Sequence, residues 1–219
     1  MNPIIQECEK RNITKLIHFT CLDNLESILT NGLLTRKYLN EHQIEYHYND
    51  EKRLDDIQDS ISLSITSPNY KMFYKIRSHH IDHSYIVLEL DPSYVLELNC
   101  AFCYKNAASN EISSIPLKDR ETKAAFIQLF KDRLDCPKRE DLCLLDKEPT
   151  DPQAEILVLE NIPVKAIKKV YFHTYATLNQ YATLLDQYHI DYEQGKDSGF
   201  FRPRHDHSLW KKGEDNNGE

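Results

Sequence analysis

The stretch "LIHFTCLDNLESILTNGLLT", residues 16–35, decides the fold because it carries two different periodicities back to back. Its opening, "KLIHFT" with Lys15, is short, apolar and rich in strand formers, and predicts a strand. Behind it Leu22, Leu25, Ile28 and Leu29 recur on one helical face, Asp23 or Asn24 stands where an N-cap belongs, and Gly32 follows the last turn as a C′ residue. A strand feeding a helix in this way delivers His18, Phe19 and Thr20 to a helix N-terminus, where unpaired N–H groups suit an anion such as a pyrophosphate. His18 is open to two readings, a core or capping histidine bonded to backbone, or a ligand contact.

Downstream, "YLNEHQIEYHYNDEKRLDDIQD" (38–59) turns polar with weak periodicity and predicts a long loop with one helical turn at most. Within it Arg53 is surrounded by Asp50, Glu51, Asp55 and Asp56, and is either a salt-bridged loop arginine or a guanidinium fork for phosphate or ribose. "SISLSIT" (60–66) alternates Ile61, Leu63 and Ile65 against Ser and Thr, the period of a half-buried strand. "PNYKMFYKIR" predicts an aromatic turn and helix. There Tyr70, Phe73 and Tyr74 serve either as core packing or as a stacking surface for a planar ring. "SYIVLEL", "ILVLENI" and "KKVYFHTY" read as strands, while "TKAAFIQLFKDRL" and "LNQYATLLDQYHI" read as helices. Without regular βαβ alternation, this order predicts an α+β fold on largely antiparallel sheet, in one domain with its core over about 14–200 and a polar, frayed tail after Arg202.

Glu155 has the strongest local argument. It stands directly before Ile156, Leu157, Val158 and Leu159, a run that will be buried, and a charge at such a place belongs at a sheet rim with a partner. The plain reading is a solvated strand end. The chemical one is a carboxylate stabilising a developing oxocarbenium ion when a glycosidic bond breaks. Glu160 reads as a surface charge.

Composition narrows the partners. With 35 acidic against 27 basic residues the net charge is −8, so a broad basic surface for duplex DNA is excluded and any nucleic-acid contact must be local. The N-terminal "MNPIIQECEKRNITK" is too charged and interrupted for a signal peptide and no apolar run spans a bilayer, so a cytoplasmic protein without a membrane partner is expected. The six scattered cysteines read as reduced thiols. Cys100 and Cys103 lack a second pair, and His79, His80 and His83 lack ordered partners, so no metal is expected.

Taken together, "LIHFTCLDNLESILTNGLLT", "RLDDIQDSISLSITSPNYKMFY", "YIVLEL…NAAS" and "QAEILVLENIPVKAI" resemble the DarT family of DNA ADP-ribosyltransferase toxins over residues from about 14 to about 173. The resemblance implies the ADP-ribosyltransferase fold, two packed, mainly antiparallel sheets with peripheral helices and an NAD cleft. It implies NAD as substrate, single-stranded DNA as acceptor, a role in a toxin-antitoxin or phage-defence system, and a macrodomain antitoxin as partner. Carried over by position, His18, Phe19 and Thr20 open the NAD site, Asn24 and Leu33 follow in the helix and turn, and Arg53 belongs to the NAD-binding loop, where it is both an NAD contact and a catalytic residue beside Glu155. Tyr70 and Tyr74 fall at the nicotinamide end. Glu155 is the catalytic glutamate, closing a substrate loop from about 118 to 154, in which Arg120, Lys123, Arg133 and Arg139 become candidates for nucleic-acid contacts. The same superfamily includes ADP-ribosyltransferases of RNA or protein and RNA 2′-phosphotransferases, and a catalytically silent binding module would keep the same cleft.

Overall fold

The computed structural model describes residues 2–47, 59–195 and 199–211. Strands β1 (Leu16–Cys21), β2 (Ile61–Ile65), β3 (Tyr85–Leu90), β4 (Cys100–Cys103), β5 (Glu155–Val158), β6 (Ile167–Phe172) and β7 (Asp191–Gln194) form a seven-stranded sheet in the order β4-β5-β2-β1-β3-β6-β7. All neighbours are antiparallel except the parallel β6–β7 pair. Period-2 alternation divides the central strands between two cores. Ile86, Leu88 and Leu90 of β3 enter the larger core, and Tyr85 and Val87 pack on the other face with Ile17, Phe73, Tyr171, Phe200 and Phe201. With both faces covered, β3 reads as an almost unbroken apolar run.

One continuous sheet replaces the expected two packed sheets, and the reason lies at its centre. β1 pairs with β3 along its whole length, but with β2 only at Leu16↔Ile65 and Ile17↔Ser64. Beyond Ile17 the ladder stops, so the sheet is two halves, β4-β5-β2 and β1-β3-β6-β7, joined by a short antiparallel seam. The gap beyond that seam is where His18, Phe19 and Thr20 face Ser60, Ile61 and Ser62.

Helices α1 (Pro3–Lys10), α2 (Leu25–Asn31), α3 (Arg36–Glu41), α4 (Tyr70–His79), the short α5 (Pro92–Val95), α6 (Asn110–Ser113), α7 (Leu117–Arg120) and α8 (Lys123–Gln128), and α9 (Tyr175–Gln187) surround the sheet. Among the described residues, no helix is long and apolar enough to cross a membrane. The helix expected over "TKAAFIQLFKDRL" ends early, at Gln128, because carbonyls that would extend it are taken from outside. Leu129 C=O accepts the Thr150 N–H at 2.8 Å and Lys131 C=O accepts the Thr150 hydroxyl at 2.9 Å.

The tail expected to fray after Arg202 is docked through Trp210. Arg204 is buried and donates through Nε to Asp206 Oδ1 at 2.7 Å, and through its terminal nitrogens to the carbonyls of Pro149 and Thr150 at 2.7 and 3.0 Å. Trp210, in the C-terminal helix His207–Lys211, donates to the other Asp206 oxygen at 2.9 Å. Burial alone would raise the Asp206 carboxyl pKa. The Arg204 hydrogen bonds and charge outweigh it and hold the group below the usual carboxylate range.

Gly32 joins the strand-helix unit to the rest of the fold. Its φ of 84° and ψ of −173° lie in a region reserved for glycine, and an added Cβ would sit 2.2 Å from the Ile162 carbonyl oxygen. That close approach lets Leu33 and Ile162 exchange backbone hydrogen bonds at 2.9 and 2.8 Å, tying α2 to the chain that leaves β5. Gly32→Ala is expected to cost about 3 kcal/mol, read as a lower urea midpoint at unchanged slope, since it adds backbone strain to a carbonyl clash.

Candidate active site between β1 and β2

The divergence of β1 and β2 opens a cleft of about 810 Å³. His18, Phe19, Thr20 and Asn24 line one side, and Ser60, Ile61, Ser62 and Glu155 line the other. Ser62 connects the two. Its carbonyl accepts from His18 Nδ1 at 2.9 Å across the gap, and its hydroxyl donates to Glu155 Oε2 at 3.0 Å. Because a carbonyl only accepts, Nδ1 carries the proton in that bond, and a neutral His18 then presents Nε2 as an acceptor. Glu155 begins β5 opposite Cys103, buried to 7% exposure, and Ser62 reaches it as its diagonal neighbour across the β2–β5 ladder. The sheet-rim placement read from the sequence therefore comes with a hydrogen-bonded, nearly enclosed carboxylate.

Phe19 is backed by Phe73, their rings stacked at 4.6 Å, and forms an aromatic wall of the cleft. Thr20 and Asn24 do different work from capping. Asn24 Nδ2 donates to Thr20 Oγ1 at 2.9 Å and to the His47 carbonyl at 2.7 Å, while its Oδ1 accepts the His47 N–H at 2.8 Å. This two-way amide clamp holds the chain entering the polar loop beside the cleft. Leu33 contributes through its backbone, as described above. Arg53 lies outside the described residues.

The structure does not bring Tyr70 and Tyr74 into the cleft. Tyr74 is 69% exposed on another face of α4, and the Tyr70 ring meets His207 edge-on at 6.4 Å. Helical spacing sets this, since the cleft face of α4 carries Lys71, Met72, Lys75, Ile76 and His79, with Asn69 at its N-cap. Asn69 is 2% exposed. Its Oδ1 accepts from Met72 N–H at 3.2 Å, and its Nδ2 is buried without a protein hydrogen-bond partner, a donor that a ligand carbonyl could satisfy.

The four basic residues assigned to nucleic acid are used inside the protein. Arg139 donates to the carbonyls of Leu145 and Glu148 and to Thr150 Oγ1 at 2.7–3.0 Å. Arg133 holds Asp135, Asp151 and the Tyr104 carbonyl, Arg120 is buried against Cys103 Sγ, and Lys123 pairs with Glu7 at 3.9 Å. Physically, guanidinium groups buried in a turn-rich segment satisfy carbonyls that no helix or strand covers. Arg133, Arg139 and Arg204 thus fix the segment that ends in Glu155. Of the expected substrate loop, Gln153 reaches the cleft among the described residues.

The cations that do line the cleft are Arg36, Lys71 and Lys75, joined by His47, His79 and His80, and among the described lining residues Glu155 is the only carboxylate. An acidic protein thereby keeps one locally basic concavity, suited to phosphates. Sequence reasoning missed Ser62, Ser64, Asn69 and this basic stripe. The signal was present as the polar face of "SISLSIT" and the i, i+4, i+8 spacing of Lys71, Lys75 and His79.

A family model described as "ssDNA thymidine ADP-ribosyltransferase, DarT" matches residues 17–201. Among solved structures, Thermosipho africanus DarTG in complex with ADP-ribose superposes with a TM-score of 0.59 at 17% identity, covering 86% of this chain and 51% of that one. Thermus sp. 2.9 DarT in complex with carba-NAD+ gives 0.55 at 16% identity over 84% of this chain and 97% of that one. The same Thermus protein in complex with ADP-ribosylated ssDNA gives 0.52 at 16% identity over 85% and 96%. This chain therefore spans about half the length of the Thermosipho protein and nearly all of the Thermus one. None of the curated proteins matches it.

Proposed function

The chain belongs to the DarT family, and from that premise we propose that it transfers ADP-ribose from NAD to a thymidine base of single-stranded DNA, releasing nicotinamide. The observation that carries this reading is Ser62 linking His18 and Glu155 across a cleft whose other charges, among the described residues, are basic. His18 and its neighbours orient the nicotinamide-side ribose. Glu155 accepts a hydrogen bond from that ribose and stabilises positive charge at C1″ as the bond to nicotinamide breaks. A thymine ring nitrogen then forms the new bond to C1″ and gives up its proton. Single-stranded DNA suits such a site because its base enters without the few kcal/mol that extrusion from a duplex costs.

Lys71, Lys75 and Arg36 offer charge to the NAD pyrophosphate and the DNA backbone, and Arg53 is assigned to an NAD phosphate, since a guanidinium is a poor proton acceptor. A macrodomain protein that removes the modification is the partner this reading implies, in a toxin-antitoxin or phage-defence setting in the cytoplasm.

Labelled NAD incubated with single-stranded oligonucleotides, with and without thymidine, tests the proposal. Label on the thymidine-containing strand alone is the expected result. Label only on RNA or protein of a lysate would move the acceptor elsewhere in the superfamily. Ligand binding without nicotinamide release would mark a silent module and overturn the reading.

Placement of charge gives a second measurable expectation. Lys75→Ala should lower the slope of log K for oligonucleotide binding against log salt by about 0.7, the share of one phosphate contact on a single strand. Arg139→Ala should leave that slope unchanged, because Arg139 is engaged with Leu145, Glu148 and Thr150.

A further inference from the structure

At the edge of the cleft three side chains of metal-ligand type converge from separate segments: Cys21 at the end of β1, Asp23 in the turn before α2 and His83 before β3, with His47 of the cleft lining beside Asp23. Cys21 Sγ lies 3.4 Å from Asp23 Oδ2 and 3.7 Å from His83 Nδ1, and His83 Nδ1 lies 3.7 Å from the same carboxylate oxygen. A histidine nitrogen bonded to a carboxylate would stand at about 2.7–2.9 Å. The two separations from the Cys21 sulfur are within reach of thiol hydrogen bonds, and all three also match the edges of a coordination polyhedron. The circle through these three atoms has a radius of about 2.1 Å, against Zn–N and Zn–O bonds of about 2.0–2.2 Å and Zn–S of about 2.3 Å. A cation at or just off their plane reaches all three. His47 Nε2 lies 3.9 Å from Asp23 Oδ2, next to the group and not part of it.

The scaffold around these ligands is already built. Cys21 pairs with Tyr85 at the end of the β1–β3 ladder, and Leu22 N–H donates to Ser84 C=O at 2.8 Å, so Cys21, Asp23 and His83 are set by one stretch of sheet. His47 is placed by the Asn24 clamp on its own N–H and C=O. We propose that Cys21, Asp23 and His83 bind one zinc ion, which fastens the end of β1 and the turn before α2 to the start of β3 beside the cleft. A mixed sulfur, nitrogen and oxygen set is zinc chemistry, and three protein ligands leave the fourth tetrahedral position to water. Ligands at 21, 23 and 83 have no local spacing motif, which is why His83 showed no ordered partners in the sequence. The proposal is independent of the acceptor the enzyme modifies.

The test uses the full chain, purified without chelator, with zinc measured by mass spectrometry and cobalt(II) substituted as a spectroscopic probe. One equivalent of metal is expected, with tetrahedral cobalt bands and a thiolate-to-cobalt charge-transfer band that Cys21→Ser removes. His83→Ala, at an exposed position, should weaken binding by more than the roughly tenfold that loss of an outer-shell partner costs. Glu155→Gln should bind the metal as the wild type does. If the chain holds no stoichiometric metal, or if the band survives in both Cys21→Ser and His83→Ala, the cluster is a set of hydrogen bonds and the proposal fails. Should Cys21→Ser not fold, the His83→Ala and Asp23→Ala affinities decide between the same outcomes.

Discussion

Glu155→Gln is expected to lower kcat for transfer to single-stranded DNA by about 10²–10³-fold while the KM for NAD stays within a few-fold. The substitution keeps shape and hydrogen bonding. A glutamine oxygen still accepts from the Ser62 hydroxyl, now 3.0 Å from Glu155 Oε2, and the side chain still begins β5 opposite Cys103. What disappears is the negative charge facing C1″, and that charge matters most when the sugar is closest to an oxocarbenium ion. An interaction made mainly in the transition state lowers kcat and kcat/KM together, whereas a ground-state contact would raise KM alone. Burial to 7% exposure strengthens the effect, since water does not screen the site as it would a surface carboxylate. A variant retaining a tenth or more of wild-type kcat, with an unchanged urea midpoint, would remove Glu155 from the chemistry.

The legible parts of this protein were those in which local pattern and tertiary role agree. The period-2 run of β2, the apolar runs of β3 and β5 and the helical face of Leu25, Ile28 and Leu29 are dictated by burial, and burial leaves its mark in the sequence. Gly32 was legible as a helix stop, but its contact with Ile162 depends on a segment 130 positions away. Arg120, Arg133 and Arg139 were misread for a related reason. Nothing local distinguishes a surface arginine from one that satisfies buried carbonyls, because the carbonyls it serves carry no side-chain signature. Ser62 looked like the solvent face of a half-buried strand, and became the bridge between His18 and Glu155 because β1 turns away from β2 after two residue pairs. Glu155 was legible as a strand end where a charge meets an apolar run, whereas His18, expected at the end of its strand, sits within β1 opposite Leu88 of β3.

Removing Asp206 should have the largest effect on stability, although it lies in a stretch whose composition suggested a frayed end. Asp206→Ala is expected to cost about 3–5 kcal/mol, because it leaves the Arg204 guanidinium buried without its counter-charge. Arg204 also holds the carbonyls of Pro149 and Thr150, so the loss should loosen the segment that leads into Glu155 and lower transfer as well. Trp210, the only tryptophan in the chain, donates to Asp206 and makes the change visible as a shift in emission. The pH dependence has a definite sign. Arg204 depresses the folded-state pKa of Asp206, so its contribution is complete above the ordinary carboxylate value of about 3.9 and is lost as pH falls through the lower, folded-state value. The stability gap between wild type and Asp206→Asn should therefore be constant near neutrality and narrow only in acid below that range. A gap that narrows between pH 5 and 7, or an Asp206→Ala variant as stable as the wild type, would show that the Arg204 contacts with Pro149 and Thr150 dock the C-terminal helix without the ion pair.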